Sequence, residues 1–294
     1  VRVFITGGTG YVGQRIALQC QTAGHDVVVL SRPNTTRPIS MSGIEVVHGD
    51  IFDKDSLQRA MSGADAVIHL VGIIRAIPSR GITMDSIHHM GTAAVVETAK
   101  NKGVQRFVHM SALGARADAV SSYHISKWRG EERVRASGLP YTIFRPSVIF
   151  GRGGAGPEFV GQLANLVKSA PLIPVLGDGQ YFLQPVSIET IAHAFCAALT
   201  NDVSVDKTYE VGGPNVLSYL DILKKIAASL HKPFRPIHIP MGLMKRMIPI
   251  LQRIPSFPLT KDQLTMLQEG NVCHDTVTVY QDFDLPPIQF EVTL

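Results

Sequence analysis

Tyr123 and Lys127 stand four residues apart in a segment of helical patterning, 122–137, so a phenol and an ammonium project from one helix face. A lysine beside a phenol can lower the phenol's pKa and hydrogen-bond a ribose, which makes Tyr123 a usable general acid or base near neutral pH. The same spacing also describes a surface lysine and a half-buried tyrosine on an ordinary amphipathic helix. Ser111 favours the chemical reading. It ends the predicted strand 107–110, at the carboxyl edge where open α/β sheets bind ligands, and from there its hydroxyl can polarise a substrate carbonyl.

The elements that must position these three side chains begin at the first residue. Positions 5–13 read Ile-Thr-Gly-Gly-Thr-Gly-Tyr-Val-Gly, after an apolar run on Val3 and Phe4 and before a helical pattern on Val12, Ile16, Ala17 and Cys20. Strand, glycine turn and helix start together make a dinucleotide pyrophosphate site. Gly7 turns the chain, Gly10 admits the phosphates, and Gly13 packs helix on strand. Gly7, Thr9, Gly10, Tyr11, Val12 and Gly13 are therefore candidate cofactor-binding residues. Strands at 27–30, 66–71, 106–110 and 141–145 alternate with helices, one after an Asp55 cap and one ending at Gly103. This pattern predicts an α/β fold: a Rossmann-type, doubly wound parallel sheet with a small mixed C-terminal lobe. The division is a core over 1–150 and a lobe over 151–294 from which some segments return to the core. The glycine-rich stretch 151–157 reads as a lid or lobe boundary, and later elements include a strand at 182–187, a helix from Glu189, a strand at 209–212 and a helix capped by Ser218.

The bulk composition narrows the partners. At 294 residues and net charge +4, with cations scattered, the chain suits an anionic small ligand and gives no case for nucleic acid. Cys20, Cys196 and Cys273 are far apart and without metal-ligand spacing, so neither a disulfide framework nor a metal site is expected, and a reducing, cytoplasmic compartment is favoured. The chain opens on a strand without an initiator Met, and no apolar run reaches spanning length.

Two stretches bear on ligand and partner. The second strand ends in Ser31-Arg32, where an NAD-specific protein carries a carboxylate for the adenosine ribose. Arg32, assisted by Thr35, Thr36 or Arg37, can instead pair with a 2′-phosphate, so NADP(H) is preferred, with NAD(H) admissible. Between Pro240 and Ile254, Met241, Leu243, Met244, Met247, Ile248, Ile250 and Leu251 alternate with Lys245, Arg246 and Arg253, and Pro249 is expected to kink a helix there. That stretch is either core and lipophilic substrate wall, or a surface for an anionic membrane or a partner subunit.

Taken in order, the glycine turn, Asp50 after Val46-Val47-His48-Gly49, His69-Leu70-Val71-Gly72, Ser111, and Tyr123-His124-Ile125-Ser126-Lys127 resemble the short-chain dehydrogenase/reductase superfamily over residues 1–150. The resemblance implies that Ser111, Tyr123 and Lys127 are the catalytic group. It also implies that Asp50 and Ile51 lie beside the adenine, Leu70, Val71 and Gly72 along the middle of the cofactor, and Pro146, Ser147 and Val148 near the nicotinamide. A narrower likeness rests on 69–75, 109–115, 144–151, 183–186 and 259–264, which are similar to the atypical family, described as epimerase/dehydratase-like, that contains the alpha-subcomplex subunit 9 of respiratory complex I and its bacterial relatives. It implies a tightly held NADPH in a supporting role, either peripheral to the inner membrane or, in a eukaryote, in the mitochondrial matrix. Where extended members carry an Asn three residues before a Gly-Thr pair, this chain has His88 before Gly91-Thr92, which can relay a proton or simply pack, packing being the favoured reading. The expectation is an oxidoreductase moving hydride to or from a small or lipophilic carbonyl or alcohol, quinone-like or isoprenoid. The alternatives are a non-catalytic NADPH-holding subunit or assembly factor, and an epimerase/dehydratase, the latter disfavoured by the short interval from Ser111 to Tyr123.

Overall fold

The computed structural model describes residues 1–33, 42–154, 158–251 and 260–292. The first half alternates β1 (Arg2–Thr6), α1 (Tyr11–Thr22), β2 (Asp26–Ser31), β3 (Glu45–His48), α2 (Lys54–Ala60), β4 (Ala66–His69), α3 (Gly91–Asn101), β5 (Arg106–Met110), α4 (Ser122–Arg135) and β6 (Tyr141–Pro146). There follow β7 (Ile149–Phe150), α5 (Phe159–Ser169), β8 (Ile173–Leu176), β9 (Phe182–Leu183), β10 (Val186–Ser187), α6 (Ile188–Ala197), β11 (Lys207–Val211), β12 (Leu217–Ser218), α7 (Tyr219–Ser229), β13 (Pro236–Ile239), α8 (Met241–Leu251), α9 (Lys261–Glu269) and α10 (Val277–Phe283).

Seven parallel strands form the central sheet in the order β11-β6-β5-β4-β1-β2-β3. The winding direction reverses between β1 and β4, whose carboxyl ends pair Thr6 with His69. A crevice outside that reversal is the ligand position of this architecture. Both faces of the sheet are covered, which is why its strands are apolar almost throughout. Phe4, Val28, Val67, Phe107 and Ile143 pack with α2 and α3 residues such as Leu57 and Val95, while Val3, Ile5, Val29, Ile68 and Phe144 pack with α1, α6 and α10. The lobe has its own core, in which Val160, Ala164 and Val167 of α5 meet Ile222, Leu223 and Ile226 of α7. β11 returns from the second half of the chain to the sheet edge beside β6.

Several boundaries differ from the sequence reading, each for a local reason. The cap of α2 is Asp53, whose Oδ1 accepts from the Asp55 N–H at 3.1 Å. The single strand expected at 182–187 is two short ones, because Gln184-Pro185 interrupts it and a proline donates nothing to a ladder. β4 stops at His69, leaving Leu70 to Gly72 as the edge of the crevice. α8 runs from Met241 to Leu251 with Pro249 inside it; Met244 and Ile248 are buried against Leu176 and Leu264, whereas Leu243, Met247 and Ile250 are exposed. Arg253 and Ile254 lie outside the described residues.

Candidate active site

The glycine turn is built as its spacing predicts. Gly7 has φ +74°, a left-handed conformation that glycine adopts without a Cβ penalty, and a Cβ there would stand 3.1 Å from the Leu70 and Val71 backbone. The Gly10 N–H donates to the Gly7 carbonyl at 3.0 Å. Gly10 caps α1 without a side-chain hydrogen bond, so the first-turn N–H groups of Tyr11, Val12 and Gly13 meet no capping side chain, and this is the arrangement of a helix N-terminus that receives an anion. The loop after β7 is held over this turn. Tyr11 Oη donates to the Gly151 carbonyl at 2.7 Å, and the Gly154 N–H donates to the Tyr11 carbonyl at 2.8 Å.

At the end of β2, Ser31 is 1% exposed and its Oγ has no hydrogen-bond partner among the described residues. An orphaned hydroxyl at the strand end beside the glycine turn fits an adenosine ribose, and with the open α1 terminus it makes the donor set suitable for a dinucleotide. Arg32 follows, exposed. Thr35, Thr36 and Arg37 fall outside the described residues. Asp50 is half-buried in a turn in which its Oδ1 accepts from the Phe52 N–H at 2.9 Å, and Ile51 is buried.

Lys127 meets the crevice edge, and Tyr123 stands one turn before it on the same helix. A Cβ on Gly72 would stand 3.1 Å from Lys127 Nζ, and Nζ donates to the Met110 carbonyl at 3.0 Å. Burial pushes the Lys127 ammonium down to about 8, against the opposing field of Glu131. The expected lowering of the Tyr123 phenol is reversed: burial pushes it up to about 12. Its ring stands edge-on to His88 and His124, with centroids 5.3 and 5.5 Å away.

His88 is pinned. Its Nε2 accepts from the Ile73 N–H at 2.9 Å, which puts the proton on Nδ1, 2.8 Å from Ser126 Oγ, and that hydroxyl donates to the Tyr123 carbonyl at 2.8 Å. Burial holds the ring neutral, down to about 2, so it packs and braces. A second histidine is fixed the same way. Thr92 Oγ1 donates to the His88 carbonyl at 2.6 Å and so accepts from His69 Nε2 at 3.0 Å, leaving His69 Nδ1 to accept from Thr6 Oγ1 at 2.6 Å. His109 stacks on His69 at 5.4 Å, is 1% exposed, and has neither ring nitrogen bonded among the described residues.

Ser111 has a partner that spacing did not reveal. It lies at the strand end as expected, 2% exposed, and its hydroxyl donates to the buried Glu131 Oε1 at 2.5 Å. Glu131 had gone unnoticed, although Tyr123, Lys127, Glu131 and Arg135 recur at intervals of four in the sequence. Also missed was Asn271, whose Oδ1 accepts from Ser147 Oγ at 2.5 Å and from the Val148 N–H at 3.0 Å, locking the 146–148 stretch, in which Pro146 is buried. Gln184 completes that clasp, its Oε1 accepting from the Cys273 N–H at 2.9 Å. α9 clamps the start of α4: Asp262 accepts from the Ser122 N–H and hydroxyl, and Glu269 pairs with His124 Nδ1 at 2.8 Å and with Arg116 at 2.7 Å. The cysteines that spacing kept apart also meet in part, since Cys20 and Cys196 are buried as free thiols in the one core that α1 and α6 share. No group of three metal-ligating side chains occurs among the described residues.

A doubly wound sheet, a glycine turn at its reversal and a half-buried tyrosine one turn from a buried lysine define a nucleotide-dependent α/β protein. The chain belongs to the NAD dependent epimerase/dehydratase family, whose model matches residues 3–212. It is 27% identical over 301 residues to the mitochondrial NADH dehydrogenase [ubiquinone] 1 alpha subcomplex subunit 9 of Arabidopsis thaliana, covering 96% of this chain and 73% of that protein. It is 35% identical over 177 residues to the ceramide reductase of Caulobacter vibrioides, covering 60% of this chain and 54% of the relative. The UDP-glucuronic acid 4-epimerase of Bacillus cereus, solved with UDP-glucuronic acid and NAD, shares the fold with a TM-score of 0.76 at 17% identity, over 99% of this chain and 95% of that one. No helix among the described residues is long and apolar enough to cross a membrane.

Proposed function

We propose that the protein is an NADP(H)-binding oxidoreductase acting on a lipophilic carbonyl or alcohol. The observation that carries this reading is Lys127 Nζ lying against Gly72, at the sheet reversal, on the same helix face as Tyr123. In this reading the α1 N-terminus and Gly7, Gly10 and Gly13 hold the pyrophosphate, Ser31 meets the adenosine ribose, Arg32 meets a 2′-phosphate, and Asp50 and Ile51 flank the adenine. Leu70, Val71 and Gly72 run along the middle, and Pro146, Ser147 and Val148 border the nicotinamide. When bound, the nicotinamide supplies or accepts hydride at C4.

Lys127 hydrogen-bonds the ribose and, as an ammonium, lowers the cost of a phenolate on Tyr123. Tyr123 gives or takes the proton at the substrate oxygen; its high resting pKa suits a proton donor, and hence the reducing direction. Ser111 anchors the strand end. The likeness to a ceramide reductase and the exposed Leu243, Met247 and Ile250 support a lipid-like substrate, and with Lys245 and Arg246 they also suit peripheral attachment to an anionic surface.

A second reading, a cofactor-holding accessory subunit of a respiratory complex, is favoured by the likeness to subunit 9 along almost the whole chain. The experiment that separates them incubates the protein with NADPH and long-chain ketones, including a 3-ketosphingoid base and quinones. Oxidation of NADPH that Tyr123→Phe lowers at least about a hundredfold supports the enzyme. Tight NADPH retention without oxidation, unchanged in Tyr123→Phe, supports the subunit. NADH binding as tight as NADPH binding removes the Arg32 assignment.

A further inference from the structure

Along α4, Tyr123, Lys127, Glu131 and Arg135 follow one another at intervals of four, one stripe turned toward β5 and β6. Glu131 is wholly buried. Its Oε1 accepts from Ser111 Oγ at 2.5 Å and Arg145 Nε at 2.8 Å, and its Oε2 accepts from Arg145 at 2.6 Å and Arg135 at 2.5 Å. One carboxylate thus ties the end of β5, through Ser111, and β6, through Arg145, to the helix that carries Tyr123 and Lys127.

The groups that face Lys127 differ in what they do to its charge. From its own helix come Tyr123 and Glu131; from β4, β5 and the turn before α3 come His69, His109 and His88, all held neutral by burial. Glu131 is the group in this set whose field favours the ammonium, while burial works against it. Two guanidiniums, Arg135 and Arg145, pair with Glu131 and offset part of that field.

We propose that Glu131 is a positioning residue for the proton-transfer site, keeping Lys127 an ammonium while Ser111 and Arg145 fix the two strand ends around it. This rests on the reading of Tyr123 and Lys127 as the reacting pair. It assigns Ser111 to the carboxylate's support and gives Arg135 and Arg145 control over how much of its field reaches Lys127.

The test titrates Lys127 directly, by NMR of protein carrying 13C-labelled lysine with the Lys127 signal assigned through Lys127→Arg, and in parallel measures NADPH affinity against pH. Glu131→Gln keeps shape and hydrogen-bonding capacity but removes the charge, and lowers the Lys127 midpoint by about one pH unit. Arg145→Gln leaves Glu131 less neutralised and moves the midpoint upward. Ser111→Ala leaves every charge in place and moves it by less than about 0.3 unit. Opposite shifts from Glu131→Gln and Arg145→Gln are the signature of an electrostatic role, because a merely structural one would move both the same way. An unmoved midpoint in Glu131→Gln, or shifts of one sign in both variants, overturns the proposal. Because the NMR midpoint needs no turnover, a protein that oxidises no NADPH defeats the enzymatic reading while still deciding what Glu131 does to Lys127.

Discussion

Replacing Gly13 by alanine sets two well-known effects against each other. An alanine in a helix is worth about 1 kcal/mol more than a glycine in the absence of contacts. At Gly13 the added Cβ would stand 2.7 Å from Gly8 Cα and 2.9 Å from the Gly7 carbonyl carbon, and closer still to the Gly7 oxygen, all of them backbone atoms that no rotamer change can move aside. Helix and turn would have to separate by most of an ångström. Overpacking of that kind costs about 1–3 kcal/mol and exceeds the propensity gain. Separation also displaces the first-turn N–H groups from the Gly7–Gly10 arc proposed above to receive the pyrophosphate. Gly13→Ala is therefore expected to lower the Tm by about 2 °C for each kcal/mol lost and to weaken NADPH binding at least tenfold. Gly242, in α8, is the control, since a Cβ there meets nothing within 4 Å and Gly242→Ala is expected to leave stability equal or slightly higher. Thermal unfolding with and without NADPH reads both. A Gly13→Ala protein as stable as the parent, with cofactor affinity intact, refutes the close-packing account of the turn.

Two further outcomes follow from the buried titratable groups. Lys127 titrates in the folded chain at about 8, below its ordinary 10.5, so the unfolded chain holds the extra proton between those values. The resulting cost is fully present below pH 8 and is relieved as pH rises toward 10.5, so Lys127→Met should stabilise the cofactor-free protein at pH 7 by about 2–3 kcal/mol while abolishing turnover, measured by urea unfolding and NADPH oxidation. His69 and His88 are pushed down to about 3 and about 2, and His109 lies well below its ordinary value, so each is neutral when folded but takes a proton on unfolding below pH 6.5. Stability should then fall as pH drops below 6.5, by about 1.4 kcal/mol per unit for each histidine. His109→Leu, which removes two unpartnered nitrogens, should flatten that slope by about a third and raise stability at pH 7; an unchanged slope would contradict the burial assignment.

What the sequence made legible was local. The glycine turn, the Tyr123–Lys127 pair and the capping Ser218 depend on neighbours within four residues, and each stands where the spacing put it. Periodicity likewise exposed the alternation that becomes the seven-stranded sheet, since strands covered on both faces are nearly continuous apolar runs. Roles decided across long separations were hidden. Ser111 lies 20 residues from Glu131, and Glu131 lies 14 from Arg145, so nothing near Ser111 announced that its hydroxyl was already engaged. Asn271 stands 124 residues from Ser147, and Cys20 and Cys196 are opposed by the packing of α1 on α6. The pKa of the Tyr123 phenol is hidden from the sequence for another reason. Spacing shows a lysine nearby, but it does not show how far both groups have been taken from water.

The clasp formed by Asn271 and Gln184 bears on the order in which the molecule is made. A ribosome at 5–20 residues per second delivers β1 to β6 many seconds before Asn271 emerges. Through that interval the glycine turn can fold and β11 can join the sheet edge, yet Ser147 and the Val148 amide still lack the side chain that fixes them. A nascent chain would thus have its glycine turn in place well before the 146–148 stretch is held, so the two ends of the crevice are finished at different times.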